Sequence, residues 1–301
     1  TLPKFCRKIN SIDEINNYFT VNLTNRYERV RIIGDIHGCY TALQQAILPW
    51  DEKTLYIFCG DYLERGIENK EMMYEMMRLS TLPNTIMLEG NHERHIANFA
   101  FNTNLDRSKR FMKEVVAPIV KDMTKKEVES LQRELRLFYK SLRQCYPFIF
   151  HGKKYLVSHG GLSYVPNMTF IATSTFINGF GAYETDIAKI YDTNYEKGLC
   201  QDFIQIHGHR GVPDGKYSFC LEGEVEFGGE LKYIDITAEY DNLLAKHKKK
   251  KYRIRARDLE QEIAKLQQES GYPYIINIDV ANKANPIHGK IVMSNLCSEI
   301  L

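Results

Sequence analysis

Three short strings in the first third of the chain constrain its fold most: Gly34-Asp35-Ile36-His37-Gly38, Gly60-Asp61-Tyr62-Leu63-Glu64-Arg65-Gly66 and Gly90-Asn91-His92-Glu93. Each sets a metal-binding or acid/base side chain beside glycine, and each directly follows a short apolar run. Those runs, Arg29 to Ile33, Thr54 to Phe58 and Thr85 to Leu88, have the length and residue types of buried strands. Between them, Tyr40 to Ile47 and Glu68 to Leu79 read as helices. In the second helix Met72, Met73, Met76 and Met77 recur at helical spacing, which predicts core packing rather than a cofactor box. Strand, loop and helix in repeated succession is the pattern of an α/β layer architecture. Catalytic groups in such folds sit on loops at the carboxyl ends of strands.

Farther along, Arg107 to Lys140 is highly charged with apolar residues at helical spacing, which predicts one or two surface helices. Pro147 to Phe150 and Lys154 to Ser158 read as a hairpin through His151-Gly152-Lys153, and its second arm ends in Ser158-His159-Gly160-Gly161. Phe203 to Ile206 reads as another strand, ending in His207-Gly208-His209. Tyr217 to Ile236 is strand-like with glycine turns, so two sheets packed face to face are expected. A short helix is expected from Ile12 to Phe19.

The chain has 301 residues, 44% apolar and 26% charged, enough to bury a sizeable core. A net charge of +2 gives no global pull toward nucleic acid or membrane. No apolar run is long enough to span a bilayer. The 7 cysteines are scattered without a CxxC pair, which argues against a disulfide framework or a cysteine zinc site and points to a reducing cytoplasm. No signal peptide is visible, but the chain starts at Thr1 rather than methionine, which leaves an upstream segment open.

Phosphate esters resist attack because their oxygens repel an incoming anion, and a pair of divalent metals a few ångströms apart overcomes that repulsion. Hard divalent metals prefer carboxylate, imidazole and amide oxygen ligands. Asp35, His37, Asp61, Asn91, His159 and His209 supply such groups at strand-to-loop junctions, enough for two sites sharing one carboxylate.

These motifs resemble the GDxHG, GDxxDRG and GNHE signatures of the phosphoprotein phosphatase branch of the calcineurin-like metallophosphoesterases, over roughly residues 28 to 235. The resemblance implies an α/β sandwich of two mixed sheets flanked by helices. It implies that Asp35 and His37 hold a first metal, that Asp61 bridges, and that Asn91, His159 and His209 complete the second. Manganese is the expected metal, with iron or zinc as alternatives. His92 would be the general acid, oriented by Glu64, and Arg65 would grip phosphate together with Asn91. His209 is preferred to His207 because the family's ligand follows the glycine. Two departures stand out: the family has Asp where this chain has Glu64, and its second phosphate-binding arginine is missing from Gly160 to Gly208. Arg94 and Arg210 are candidates to replace it. Expected substrates are phosphoserine or phosphothreonine in proteins, or else a nucleotide, an RNA end or diadenosine tetraphosphate. No membrane association is expected, and the sequence does not make a stable partner predictable.

From about Thr237 the sequence changes character, with a helix expected from Glu239 to Leu244 and a basic run from Lys246 to Arg257. The stretches Ala256 to Glu260, Leu266 to Tyr274 and Asn285 to Leu301 resemble the large subunit of class Ib ribonucleotide reductase. That resemblance maps the family's radical cysteine onto Cys297, with Asn295 and Glu299 as substrate-handling residues. Residues 237 to 301 are too few to bury the barrel this chemistry needs. The expected organisation is therefore a lead-in over 1–27, a phosphoesterase over 28–236 and an incomplete reductase-like fragment over 237–301. Readings from another class are an inactive reductase fragment and a nucleic-acid-binding module using the basic run.

Overall fold

The computed structural model describes residues 20–165, 171–211 and 213–238. The chain divides into two units, Thr1–Leu243 and Leu244–Leu301, and all the described residues belong to the first. The helix expected at Ile12 to Phe19 and every reading beyond residue 238 lie outside them.

Two sheets carry the fold. One has five strands in the order β1-β5-β6-β7-β8, formed by Val21–Asn22, Cys145–Phe150, Lys153–Ser158, Phe203–His207 and Ser218–Cys220. The other has four in the order β4-β3-β2-β9, formed by Thr85–Met87, Thr54–Phe58, Arg29–Ile33 and Tyr233–Thr237. The expected strands at 29–33 and 54–58 form at those residues. The third stops at Met87, and Leu88 makes only a bridge to Arg143.

Side-chain alternation along the strands builds three layers. Val30, Ile32, Leu55 and Ile57 point between the sheets and meet Phe148, Phe150, Val157 and Ile206. The opposite face of the four-stranded sheet presents Ile33, Tyr56 and Phe58 to helices α1 (Tyr40–Ile47) and α2 (Asn69–Leu79). Met72, Met73 and Met76 are fully buried there, with Met77 packed at the margin. On the far side of the other sheet, Leu156 and Phe203 pack with Phe176 and Tyr191.

Helix α3 (Glu93–Phe101) follows the third motif, and α4 (Lys125–Ser141) starts with a capping box between Thr124 and Glu127. The segment expected to form one or two surface helices is more deeply engaged than that. Phe111, Val115, Val116 and Ile119 on an irregular helical run from 105 to 120, and Leu131, Leu135 and Phe138 on α4, all enter the main core. Most of their charged residues are exposed. Helices α5 (Thr173–Asn178) and α6 (Ile187–Glu196) complete the described helices longer than five residues. No helix among the described residues is long and apolar enough to cross a membrane.

Register is what matters for function. β2, β3 and β4 run parallel, with Ile33 opposite Phe58 and Phe58 opposite Met87. β6, β7 and β8 also run parallel, with Ser158 opposite His207 and His207 opposite Cys220. The loops after these strands therefore leave at one level within each sheet. β9 runs antiparallel to β2 and pairs Tyr233 with Ile33, so the loop from Leu221 to Lys232 returns at the same end.

Truncating Met76 to Ala should lower stability by about 2–5 kcal/mol, as for other buried methionines. Tyr74→Ala on the exposed face of the same helix should stay within about 0.5 kcal/mol. Urea unfolding midpoints of the two variants check this, and similar losses would contradict the orientation of α2.

Candidate metal centre

Five loops meet at that shared end. Asp35 and His37 follow β2, Asp61 follows β3, Asn91 and His92 follow β4, His159 follows β6 and His209 follows β7. The approach is close enough to exclude side chains at two glycines. A Cβ on Gly60, whose φ is +111°, would meet the Gly90 backbone nitrogen at 2.6 Å. A Cβ on Gly208 would overlap Asp35 Oδ1 at 1.9 Å. His37, Asp61, Glu64, Arg65 and His209 all occupy the left-handed region, with φ from 46° to 79°. Such conformations cost about 1–3 kcal/mol each and persist where surrounding contacts enforce them.

Glu93 supplies much of that enforcement. Its buried carboxylate accepts from Asp61 N at 2.9 Å, Tyr62 N at 3.0 Å and Gly90 N at 2.6 Å, tying the second motif to the third. Burial, followed by the charge of Asp61, pushes Glu93 up to about 7.

Asp61 stands at the middle. Its Oδ1 accepts from His92 N at 2.9 Å. Its Oδ2 lies 3.4 Å from His159 Nε2, 3.6 Å from His37 Nε2 and 3.9 Å from His92 Nε2. Burial alone would raise this carboxyl, but His159, His92 and His37 draw it well below the usual carboxylate range. The rings are aimed by backbone carbonyls: His37 Nδ1 donates to Leu63 O at 3.3 Å and His159 Nδ1 to Cys59 O at 3.1 Å. His37 Nε2 is left as a lone-pair nitrogen facing the centre, whereas His159 Nε2 faces two oxygens, and although burial works to lower its pKa, the charge of Asp61 and the hydrogen bond to it outweigh that and shift it upward. Asn91 Oδ1 is 2.9 Å from His159 Nε2, and His209 N donates to Asp35 Oδ2 at 3.0 Å.

Three groups of donor atoms each lie within 4.8 Å of one another: His37, Asp61 and His92; Asp61, His159 and His209; and Asp35, His37 and Glu222. Asp61 joins two of them, and His37 joins two. Asp35 is buried and its Oδ1 has no hydrogen-bond partner. Burial, then the charges of Glu222 and Asp61, push its carboxyl well above the ordinary range. Crowded carboxylates with an orphaned oxygen and converging imidazoles suit divalent cations, which satisfy that oxygen and relieve the repulsion. This donor set therefore fits metal ions.

His92 sits at the rim. Its Nδ1 is hydrogen-bonded to Glu64 Oε2, which leaves Nε2 toward Asp61. Burial works to lower its pKa, but the Glu64 hydrogen bond and the charges of Asp61 and Glu64 outweigh it, and the net shift is upward. Arg65 spans the rim, with Nη1 3.2 Å from His37 Nε2 and Nη2 3.3 Å from His92 Nε2. The structure thus brings together Asp35, His37, Asp61, Glu64, Arg65, Asn91, His92, His159 and His209.

The other residues anticipated at the site divide. Arg94 is exposed beside Asn91, in a separate hollow, and its Nε contacts His95 Nε2 at 3.3 Å. Arg210 departs from expectation: its buried guanidinium donates to Ala182 O at 2.6 Å, Asn178 O at 3.0 Å and Gly181 O at 3.3 Å. A side chain consumed by three carbonyls braces the 178–182 loop and has little left for phosphate. His207 is fully buried, contacts Gly208 O through Nδ1, and is pushed down by burial to about 4.

Three acids were missed. Besides Glu93, Glu222 completes one donor group and Glu226 Oε1 pairs with Arg65 Nη1 at 2.8 Å. Glu222 carried a usable signal, since Leu221-Glu222-Gly223 is again an acid beside glycine at a strand end. β8 has only three residues and was too short to stand out.

Residues 28–248 match the calcineurin-like phosphoesterase family, and residues 213–301 match the ribonucleotide reductase barrel domain. The chain is 39% identical over 93 residues to serine/threonine-protein phosphatase 2 of Salmonella typhimurium, covering 30% of this chain and 40% of that protein. It is 49% identical over 76 residues to the ribonucleoside-diphosphate reductase subunit alpha of Mycoplasma pneumoniae, covering 25% of this chain and only 10% of that subunit. A protein serine/threonine phosphatase structure from Saccharomyces cerevisiae is 17% identical with a TM-score of 0.39, covering 66% of this chain and 68% of that one. With the family matched across most of its length, this chain belongs to the calcineurin-like phosphoesterases.

Proposed function

We propose that the chain hydrolyses phosphate monoesters with the help of two divalent cations, manganese first, with iron or zinc as alternatives. The observation that carries this reading is the position of Asp61 Oδ2, within 3.4–3.9 Å of three imidazole nitrogens. Asp35 and His37 would hold one cation and Asn91, His159 and His209 the other, with Asp61 contributing to both. When bound, the pair supplies positive charge to the phosphoryl oxygens and acidifies the attacking water.

The protein's own groups do the rest. Glu64 keeps His92 in the tautomer that turns Nε2 to the centre. Protonated His92 gives its Nε2 proton to the leaving oxygen, and the upward shift of its pKa favours that charged form. Arg65 offers its planar fork to phosphate oxygens, with Asn91 beside it. Arg94, exposed in a separate hollow beside Asn91, is kept as a candidate contact for the substrate's outer part, and Arg210 has no role in this scheme.

Phosphoserine or phosphothreonine in proteins is the first substrate reading, supported by the similarity to the Salmonella phosphatase. A nucleotide, RNA-end or diadenosine tetraphosphate substrate is the second. It is favoured by the commitment of Arg210 to backbone carbonyls, which leaves a phosphate grip unlike the two-arginine one of the protein phosphatases. We place the hydrolase in residues 28–236 and assign no reductase activity to 237–301. Cysteine usage favours a cytoplasmic setting.

In elemental analysis after manganese loading, Asp61→Ala should lose both ions, because both depend on that carboxylate. Retention of full occupancy would refute the ligand assignment. His92→Ala should keep its metal but lower kcat on a phosphoserine peptide by about 10²- to 10⁴-fold. The loss should be smaller on p-nitrophenyl phosphate, whose leaving group needs no proton, and equal losses on both would remove His92 as the acid.

A further inference from the structure

Beside the centre lies a hollow of about 200 Å³. Its inner wall is Glu64, Arg65 and His92, and its outer wall includes His95, Arg107 and Arg110. The outer wall is anchored. His95 Nδ1 bonds to the buried Ser108 Oγ at 2.8 Å, Asn98 Nδ2 donates to the same oxygen at 2.8 Å, and the His95 ring stacks on Phe111.

The charge balance of this hollow is positive. The Glu64 carboxylate is engaged by His92, and Arg65 is paired with Glu226. Arg110 pairs with Glu114 at 2.8 Å on an exposed helix surface, where such pairs are weak. Arg107 joins no ion pair among the described residues, although its neighbours Lys109 and Asp106 pair with each other. The hollow thus offers one unpartnered guanidinium and one weakly paired guanidinium, with the His95 ring, held at Nδ1 by Ser108 and at Nε2 by Arg94, as part of the wall.

The hollow shares Glu64, Arg65 and His92 with the rim of the centre, which bears on the part of a substrate that would enter it. A leaving oxygen that takes a proton from His92 must lie against Nε2, so the atoms bonded to it project past His92 into this space. A serine side chain gains nothing from a cationic wall. At about 200 Å³ the space is also below the roughly 300–1,000 Å³ of pockets that enclose drug-sized ligands. It suits one or two phosphate groups, with any nucleoside remaining outside.

We propose that this hollow, formed by His95, Arg107 and Arg110, is a subsite for a second phosphate on the leaving side of the scissile bond. The preferred substrates are then small phosphoanhydrides, such as inorganic pyrophosphate or the terminal phosphate of a nucleoside diphosphate. This rests on the two-cation hydrolase reading above and takes its second, nucleotide-type substrate class in place of the first. In the reaction, water adds to the terminal phosphorus and the bond to the bridging oxygen breaks. His92 supplies a proton to that oxygen, and water's proton passes to solvent. One water is consumed and two phosphate-bearing products leave.

The test uses the full manganese-loaded chain and compares kcat/KM for pyrophosphate, ADP, p-nitrophenyl phosphate and a phosphoserine peptide. In Arg107→Glu/Arg110→Glu, the ratio of kcat/KM for pyrophosphate or ADP to that for p-nitrophenyl phosphate should fall by about tenfold or more, and the fall should shrink in high salt. Arg107→Lys/Arg110→Lys should recover most of the ratio. An unchanged ratio in the Glu variant, or wild type preferring the phosphoserine peptide to ADP, overturns the subsite while leaving the phosphoesterase reading intact. Absence of metal-dependent p-nitrophenyl phosphate hydrolysis by wild type overturns that reading, and the subsite with it.

Discussion

Repulsion among buried carboxylates governs this molecule. Asp35, Asp61 and Glu222 converge where water is excluded, and Asp35 Oδ1 has nothing to bond. An isolated ionised carboxylate in such surroundings is prohibitively costly unless a counter-charge is present. The surrounding structure serves to hold that arrangement together. Parallel registers bring the loops to one level, Glu93 ties two of them by their amides, and backbone carbonyls turn His37 and His159 inward. The left-handed backbone at His37, Asp61 and His209 adds a further local cost, offset by the same packing.

Much of this was readable from the residues. Strands β2 and β3 and helix α1 coincide with their expected limits because their patterns are uninterrupted and end in glycine motifs or turns. The methionines of α2 face the core as their spacing required. What escaped notice depended on distance in sequence. Glu222 and Glu226 act from a loop after a three-residue strand, and that loop becomes part of the centre only because β9 pairs antiparallel with β2. Arg210 looked available because charge is visible in a sequence and a ring of backbone carbonyls is not. The 107–140 segment looked peripheral because its charges outnumber the apolar residues it buries.

The junction with the reductase-like stretch is less abrupt than the change in composition at Thr237 implies. The two family matches overlap over residues 213–248. Within that overlap, β8 pairs with β7 and β9 pairs with β2, and the loop between them delivers Glu222 and Glu226. Residues 218–237 are therefore part of the phosphoesterase sheets, whatever else their sequence is similar to.

The late arrival of β9 bears on how the chain can be synthesised. β2 lies between β3 and β9, so one of its edges stays unpaired until Tyr233–Thr237 has emerged. An open edge on a strand reading Arg-Val-Arg-Ile-Ile invites pairing with another chain, though its two arginines discourage it. A nascent chain paused before that point, or a proteolytic remnant ending there, would carry most of the candidate site residues on an unsealed sheet. The boundary of a stable fragment is thus set by a sheet edge some two hundred residues downstream of its partner strand, rather than by the last candidate site residue.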